Sequence, residues 1–258
     1  MPLSQAIILG IVQGLTEILP ISSSGHLILV PSLLGWEPHA LSFDAALHLG
    51  TALALLFWFA GDWLALIAER RWRTIASILI ASVPVGLIGL LGSDFIESNF
   101  RGPLVVAGAL VAVGILMLVG ERWYRVSKSK GKREELKNAD IFTIGVAQTL
   151  ALVPGVSRSG ITILAGMGRG LTRERAARFS FLISLPIVFA AGLYELFKVW
   201  QAGDLSASGG SFAVGIGTSF VVGLIAVKVL FGILKRFSLV PFAIYRIGLG
   251  LLILILNL

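Results

Sequence analysis

The chain has 258 residues, of which 56% are hydrophobic and only 14% charged, and its mean hydropathy is +0.92. In a soluble domain about a quarter of the residues are charged, so this composition excludes one and defines an integral membrane protein. The net charge of +7 is then read from where each Lys and Arg falls rather than as a nucleic-acid signal, and the absence of cysteine excludes disulfides and thiolate metal sites.

In chain order, residues 3–19 are apolar but carry no basic stretch before them and are interrupted by Glu17 and Pro20, so they read as part of the mature protein and not as a cleaved signal. With 24–34 they form a pair of pieces too short to cross a bilayer comfortably, joined by a Pro/Ser turn. Stretches of spanning length follow at 44–60, 74–92 and 102–120, then a polar, mixed-charge linker at 121–138. A second short pair, 141–152 and 160–168, precedes three further spans at 176–197, 212–234 and 241–257. Trp58, Trp63, Trp72, Trp123 and Trp200 lie near span ends, as an interfacial aromatic belt requires.

The two short pairs are copies of one pattern. From Gly10 the chain reads GIVQGLTEILPISSSG and from Gly145 GVAQTLALVPGVSRSG; aligned without gaps, Gly10/Gly145, Gln13/Gln148, Leu15/Leu150, Ser22/Ser157, Ser24/Ser159 and Gly25/Gly160 are identical. If 61–73 faces the cytoplasm and each short pair enters and leaves on one side, the cytoplasmic segments with Arg178 hold 16 Lys and Arg, and the opposite ones only Arg101 and Lys198. The two copies then enter from opposite faces. The expected architecture is an all-α integral membrane protein: six transmembrane helices plus two re-entrant helix-turn-helix hairpins arranged as an inverted-topology repeat. It forms a single membrane domain, 1–258, with repeats at about 1–120 and 139–258, extracytoplasmic termini and half-helix N-termini at Ser22–Gly25 and Ser157–Gly160.

Non-duplicated chemistry sits on this duplicated frame. Glu17 lies one helical turn after Gln13, and a carboxylate in a membrane segment needs a partner or a function; Arg158, on the matching hairpin, offers the opposite charge. Ser22-Ser23-Ser24-Gly25-His26 has a plain reading as a helix cap, but three hydroxyls followed by Gly and His suit an oxyanion cradle, with Ser23 or His26 as nucleophile and a carboxylate or imidazole as base. Pro154-Gly155-Val156-Ser157-Arg158-Ser159-Gly160 with Thr162 supplies close backbone approach, hydroxyl donors and a guanidinium fork matched to phosphate. Asp44 and His48, four apart, line the outer mouth of a cavity or help hold a cation, or else form an interfacial pair without chemistry. Lys228 and Arg246 are expected to snorkel or to pair inside the bundle. Together these describe a phosphate-handling site with access to lipid; a transporter or lipid flippase is the alternative, since transporters also build sites from inverted hairpins.

The motifs Gln13-x-x-x-Glu17, Ser22-Ser23-Ser24-Gly25-His26 and Pro154-Gly155-x-Ser157-Arg158-Ser159-Gly160-x-Thr162 resemble the two signature regions of bacterial undecaprenyl-diphosphate phosphatase, the bacitracin-resistance protein family. The resemblance covers essentially the whole chain. It implies hydrolysis of a C55 isoprenyl diphosphate to the monophosphate and inorganic phosphate in the bacterial cytoplasmic membrane, with a divalent cation, Mg2+ or Ca2+, as cofactor. Where the family allows Glu or Gln, this chain has Gln13, which leaves Glu17 as the indispensable carboxylate and metal-ligand candidate. Under this reading Glu17, Ser23, His26 and Arg158 are catalytic, with Ser23 favoured as nucleophile and His26 as general acid/base. Gln13, Ser22, Ser24, Gly25, Ser157, Ser159, Gly160 and Thr162 bind substrate. The expected partners are the polyprenyl diphosphate and membrane lipids, with a homodimer left open and no nucleic acid; the site opens to the extracytoplasmic side.

Overall fold

Backbone N–H and C=O groups find no water in a bilayer core, so a chain this apolar must satisfy them within helices or a closed barrel. The computed structural model, which describes residues 1–37, 39–126, 133, 136–201 and 205–256, takes the helical solution. Its helices are α1 (Leu3–Ile18), α2 (Ser23–Leu33), α3 (Leu41–Trp58), α4 (Ala60–Ala68), α5 (Trp72–Phe100), α6 (Pro103–Val126), α7 (Asn138–Thr149), α8 (Arg158–Gly168), α9 (Arg173–Gln201), α10 (Leu205–Arg236) and α11 (Val240–Leu256), with a 3-10 turn at Leu150–Leu152 after α7.

Among the described residues, five segments are long and apolar enough to cross a membrane: Leu41–Trp58, Trp72–Gly92, Pro103–Val126, Arg173–Lys198 and Gly209–Arg236. They coincide with five of the six expected spans. The sixth, expected at 241–257, is α11, an apolar helix of 17 residues, at the lower limit of about 17 residues for a span. Large apolar side chains such as Leu91, 87% exposed, and Ile255, 78% exposed, cover the outside, the surface that lipid rather than water would wet.

The expected breaks fall where the Pro and Ser residues stand. α1 ends as Leu19 turns to extended backbone (φ −68°, ψ 139°) ahead of Pro20, whose missing N–H and fixed φ cannot continue a helix. α2 restarts after Ser22, and α8 after Ser157. Both caps are non-glycine residues at positive φ, 76° and 70°, a conformation that costs about 1–3 kcal/mol and persists only where surroundings enforce it. The duplicated sequence thus folds into a duplicated strained turn.

Packing follows the same duplication. At the offset that carries Gln13 onto Gln148, α1 corresponds to α7, α2 to α8, α3 to α9, α5 to α10 and α6 to α11. α1 packs on α10 and α7 on α5; α3 packs on α10 and α9 on α5; α6 packs on α11, so each pairing is the image of another or of itself. The matched glycines explain the closest of these. A Cβ on Gly10 would lie 2.9 Å from the Gly215 carbonyl of α10, and one on Gly145 2.6 Å from the Ala81 carbonyl of α5. Small residues of this kind let membrane helices meet backbone to backbone.

The linker expected at 121–138 is shorter than the sequence suggests, because α6 continues to Val126; residues 127–132, 134 and 135 lie outside the described residues. Its flanks are not simple solvated charge. Glu121 is buried, receives the Arg173 guanidinium at 2.8 and 2.6 Å, and accepts the Leu239 N–H at 2.8 Å. Asp140 is buried at the start of α7, bound by Arg133, by Arg169 and by the Lys137 N–H. Burial opposes its charge, but these donors outweigh it and hold the Asp140 pKa below the usual aspartate value of 3.8.

Candidate active site

Glu17 is the hub of the site. It sits on the last turn of α1, 7% exposed, and both carboxylate oxygens are engaged. Oε1 accepts from Arg158 Nη2 of α8, while Oε2 accepts from Ser23 Oγ of α2 and, at 3.4 Å, from Gln13 Nε2 one turn earlier on α1. Gln13 also donates to Thr51 of α3 at 3.4 Å. An ion pair taken out of water costs several kcal/mol per ion and is tolerated only with good geometry and further hydrogen bonds; Glu17 has both.

Further bonds tie the two turns together. Ser159 Oγ donates to the Glu17 carbonyl at 3.3 Å, and the Gly155 N–H donates to Ser24 Oγ at 3.4 Å. Gly155, at φ 95°, lies so close to α6 that a Cβ would come within 2.6 Å of the Val106 carbonyl. Ser157 Oγ accepts the Gly160 N–H at 3.2 Å and so caps α8.

Arg246 of α11 completes the junction in a way that neither snorkelling nor pairing anticipates. It is 0% exposed and has no carboxylate partner among the described residues. Instead Nη1 donates to the Pro20 carbonyl at 3.3 Å, and Nη2 to the carbonyls of Gly155 at 2.7 Å and Val156 at 3.0 Å. These are the carbonyls released where each helix breaks, and one guanidinium fork satisfies both turns at once.

A cavity of about 210 Å³ opens against this junction, lined by Thr16, Glu17, Ser23, Ser24, His48, Gln148, Ser157 and Arg158 on its polar side and by apolar residues including Val85, Leu152, Ile187 and Val188. Of the residues singled out from sequence, Glu17, Ser23, Ser24, Ser157 and Arg158 face this space. Gln13 stands behind Glu17. Ser22, Gly25, Ser159, Gly160 and Thr162 build the turns rather than line the cavity: Thr162 Oγ1 donates to the Arg158 carbonyl at 2.7 Å and meets Ser180, and a Cβ on Gly25 would press on Val106 at 3.2 Å.

The two histidines differ in whether they face the cavity. His26 is turned away from the cavity: Nδ1 lies 2.7 Å from the Ser22 carbonyl, Nε2 lies 2.7 Å from the Tyr245 hydroxyl, and its ring stacks on that of Tyr245. With both nitrogens occupied, it braces the first turn against α11 and does not meet a group in the cavity. His48, open from sequence between the cavity mouth and an interfacial pair, lines the cavity and places Nε2 3.3 Å from Glu17 Oε2, its Nδ1 2.7 Å from the Asp44 carbonyl. The signal for His48 in the sequence is its spacing of four from Asp44 at the start of an apolar span. Asp44 itself lies in a neighbouring cavity of about 400 Å³ that shares Ser24 and His48, where it meets His39 at 2.6 Å and Arg101 at 3.4 Å.

Fold and site together define an all-helical membrane protein whose buried carboxylate, hydroxyl and guanidinium converge where two broken helices meet, an arrangement suited to a phosphorylated ligand reached from the bilayer. The family model described as bacitracin resistance protein BacA matches residues 6–252. Among similar proteins are undecaprenyl-diphosphatase of Rubrobacter xylanophilus, 44% identical over 97% of both chains, that of Geotalea daltonii, 43% identical over 99% of this chain and 98% of the other, and undecaprenyl-diphosphatase 2 of Stutzerimonas stutzeri, 41% identical over 99% and 98%. The chain belongs to the BacA family and is a bacterial inner-membrane protein.

Proposed function

We propose that this protein is an undecaprenyl-diphosphate phosphatase: it hydrolyses the C55 isoprenyl diphosphate to the monophosphate and inorganic phosphate, recycling the carrier lipid for cell-wall synthesis and conferring bacitracin resistance. The observation that carries this reading is Glu17, held between the Ser23 hydroxyl of one helical turn and the Arg158 guanidinium of the other, in a chain whose full-length relatives bear the name of that enzyme.

In this mechanism the isoprenyl tail stays among the apolar residues of α5 and α9 while the diphosphate enters the polar end of the cavity. Ser23 Oγ attacks the terminal phosphorus, its proton passes to Glu17 Oε2, and the bond to the bridging oxygen breaks, releasing the lipid monophosphate. Water then cleaves the phosphoserine ester, phosphate departs, Ser23 regains its proton, and one proton is left for solvent. Arg158 and the N-termini of α2 and α8 stabilise the charge on the phosphoryl oxygens. The Ser23–Glu17 hydrogen bond and the outward turn of His26 favour Ser23 over His26 as nucleophile; His26 serves to position the turn.

A divalent cation fits the donor set. Among the described residues no group of three or more His, Asp or Glu gathers as a metal site, but Gln13 Oε1 is buried without a hydrogen-bond partner among them, beside Glu17. Hard cations accept neutral amide oxygens as well as carboxylates, so Gln13 can join Glu17 as a ligand although it carries no charge. Glu17 and Gln13 would hold a cation that arrives with the diphosphate, and it would supply neutralisation of the phosphate charge.

The architecture that goes with this reading is the inverted repeat, with α1–α2 and α7–α8 as re-entrant hairpins, α11 as the sixth span, termini outside and the cavity opening outward. The distribution of Lys and Arg and the mirrored helix pairings support it. The test is phosphate release from a long-chain isoprenyl diphosphate in detergent, with and without chelator. Normal release by both Glu17→Ala and Arg158→Ala would sink the site proposed here. Transfer of intact lipid between leaflets of proteoliposomes, without phosphate release, would support a flippase instead.

A further inference from the structure

Gln148 is the repeat counterpart of Gln13, and its surroundings are different. Gln13 donates to Glu17 and Thr51, whereas neither Nε2 nor Oε1 of Gln148 has a hydrogen-bond partner among the described residues, although the side chain is only 1% exposed. A buried amide with nothing to bind is unfavourable, and proteins seldom keep one without a reason. Gln148 is among the residues that line the same cavity as Ser23, Glu17 and Arg158. It is joined there by Arg158 Nη1, also buried without a partner among the described residues.

The chemistry of the two orphaned atoms differs, which narrows what they await. Nε2 is a donor and suits a phosphoryl oxygen, as does Arg158 Nη1. Oε1 is an acceptor, and an ionised phosphate has no hydrogen to offer it. A phosphate with a water molecule beside it satisfies both ends of the amide, the water donating to Oε1 while the phosphate accepts from Nε2.

We infer that Gln148 positions the hydrolytic water that resolves the phosphoserine intermediate, a role that rests on the phosphatase reading and extends it to the second half-reaction. The water oxygen bonds to the Ser23-linked phosphorus, the P–Oγ bond breaks, Oγ takes a proton, and the hydroxyl stays on the departing phosphate. A glutamine amide is well suited to this because it orients water without titrating. The apolar residues around it, Leu152 and Val188 among them, limit the water that can reach the intermediate by other routes.

The test uses the full-length protein in detergent, a long-chain isoprenyl diphosphate labelled with 32P in its terminal phosphate, and rapid quenching that counts lipid monophosphate, free phosphate and labelled protein separately. The wild type is expected to release its two products together. Gln148→Met, close in volume but unable to hydrogen-bond, is expected to give a burst of about one lipid monophosphate per chain with label retained at Ser23, followed by phosphate release slowed about tenfold or more. KM is expected to fall together with kcat, so that kcat/KM stays within about twofold, and the melting temperature is unchanged or higher because an unsatisfied amide has gone. Equal slowing of both products without labelled protein, an unchanged turnover number, or a lowered melting temperature with no burst would overturn the role. Gln148→Leu, which likewise cannot hydrogen-bond, provides the same readout if the Met variant does not fold. Wild-type protein that releases no phosphate would instead remove the phosphatase reading itself.

Discussion

The first broken helix, α1–α2, and the second, α7–α8, use one backbone device for two kinds of chemistry. Both turn at a non-glycine residue with positive φ, both open an 11-residue helix, and both press their first helix onto a neighbour through a matched glycine. Their side chains diverge where the cavity begins. Ser23 and Arg158 occupy the same position in the repeat, so the place that holds a hydroxyl in one copy holds a cation in the other; the counterpart of Glu17 is Leu152 and that of His26 is Ile161. A repeated frame can thus be kept for its geometry while each copy takes half of the chemistry, and the product is a site that exists only where the two meet.

The largest expected effects come from removing that division of labour. Glu17→Gln and Arg158→Ala should each lower kcat for phosphate release by about a thousandfold, as expected when charge stabilisation of a phosphoryl group is lost. Arg158→Ala should also lower thermal stability in detergent, since a buried carboxylate left unpaired costs about 3–5 kcal/mol. Ser23→Ala should reduce kcat by about 10²–10³, and placed on Gln148→Met it should abolish the labelled phosphoenzyme. Ser159→Ala, on the second copy, should keep most of the activity; loss equal to that of Ser23→Ala would break the asymmetry.

Arg246 tests whether the two copies must be held together. Arg246→Lys keeps the charge but cannot span the Pro20, Gly155 and Val156 carbonyls as a fork, and kcat is expected to fall about tenfold, with a lower melting temperature. Full activity and stability in that variant would show that the turns hold their spacing without it. A smaller effect separates the caps: Ser157→Ala should cost about 1 kcal/mol by thermal or denaturant unfolding, and Ser22→Ala less, because Ser157 caps Gly160 while Ser22 makes no cap bond.

The smallest effect lies outside the site, at the second copy's entry. The folded-state pKa of Asp140 is lowered, so its contribution is fully present above the unfolded value near 3.8 and is lost as pH falls through the lower folded value. Unfolding at pH 7 and pH 3 should therefore show a larger acid-side loss in the wild type than in Asp140→Asn; identical pH dependence would remove this term.

Local pattern was enough to read much of this molecule. Apolar runs of about 20 residues declare spans, and Pro20 and Pro154 with their Ser neighbours declare breaks, because these rules depend on residues close in sequence. Five spans, both broken helices, their starting residues and the charged pair Glu17 and Arg158 were legible in that way. Which side chains share a cavity was not, since that depends on how each helix is rotated against partners far along the chain. His26 belongs to a motif yet faces Tyr245, more than two hundred residues later; His48 belongs to none and reaches Glu17. Arg246, expected to snorkel or to pair inside the bundle, is set by packing against carbonyls of both turns, and Gln148, a copy of Gln13 in sequence, is left by packing with an amide that has no partner among the described residues. Sequence alone determined the membrane class, the duplication and the residues able to do chemistry; tertiary packing decided which of them converge, because burial and contact across the bundle are properties of helix orientation and not of composition or spacing.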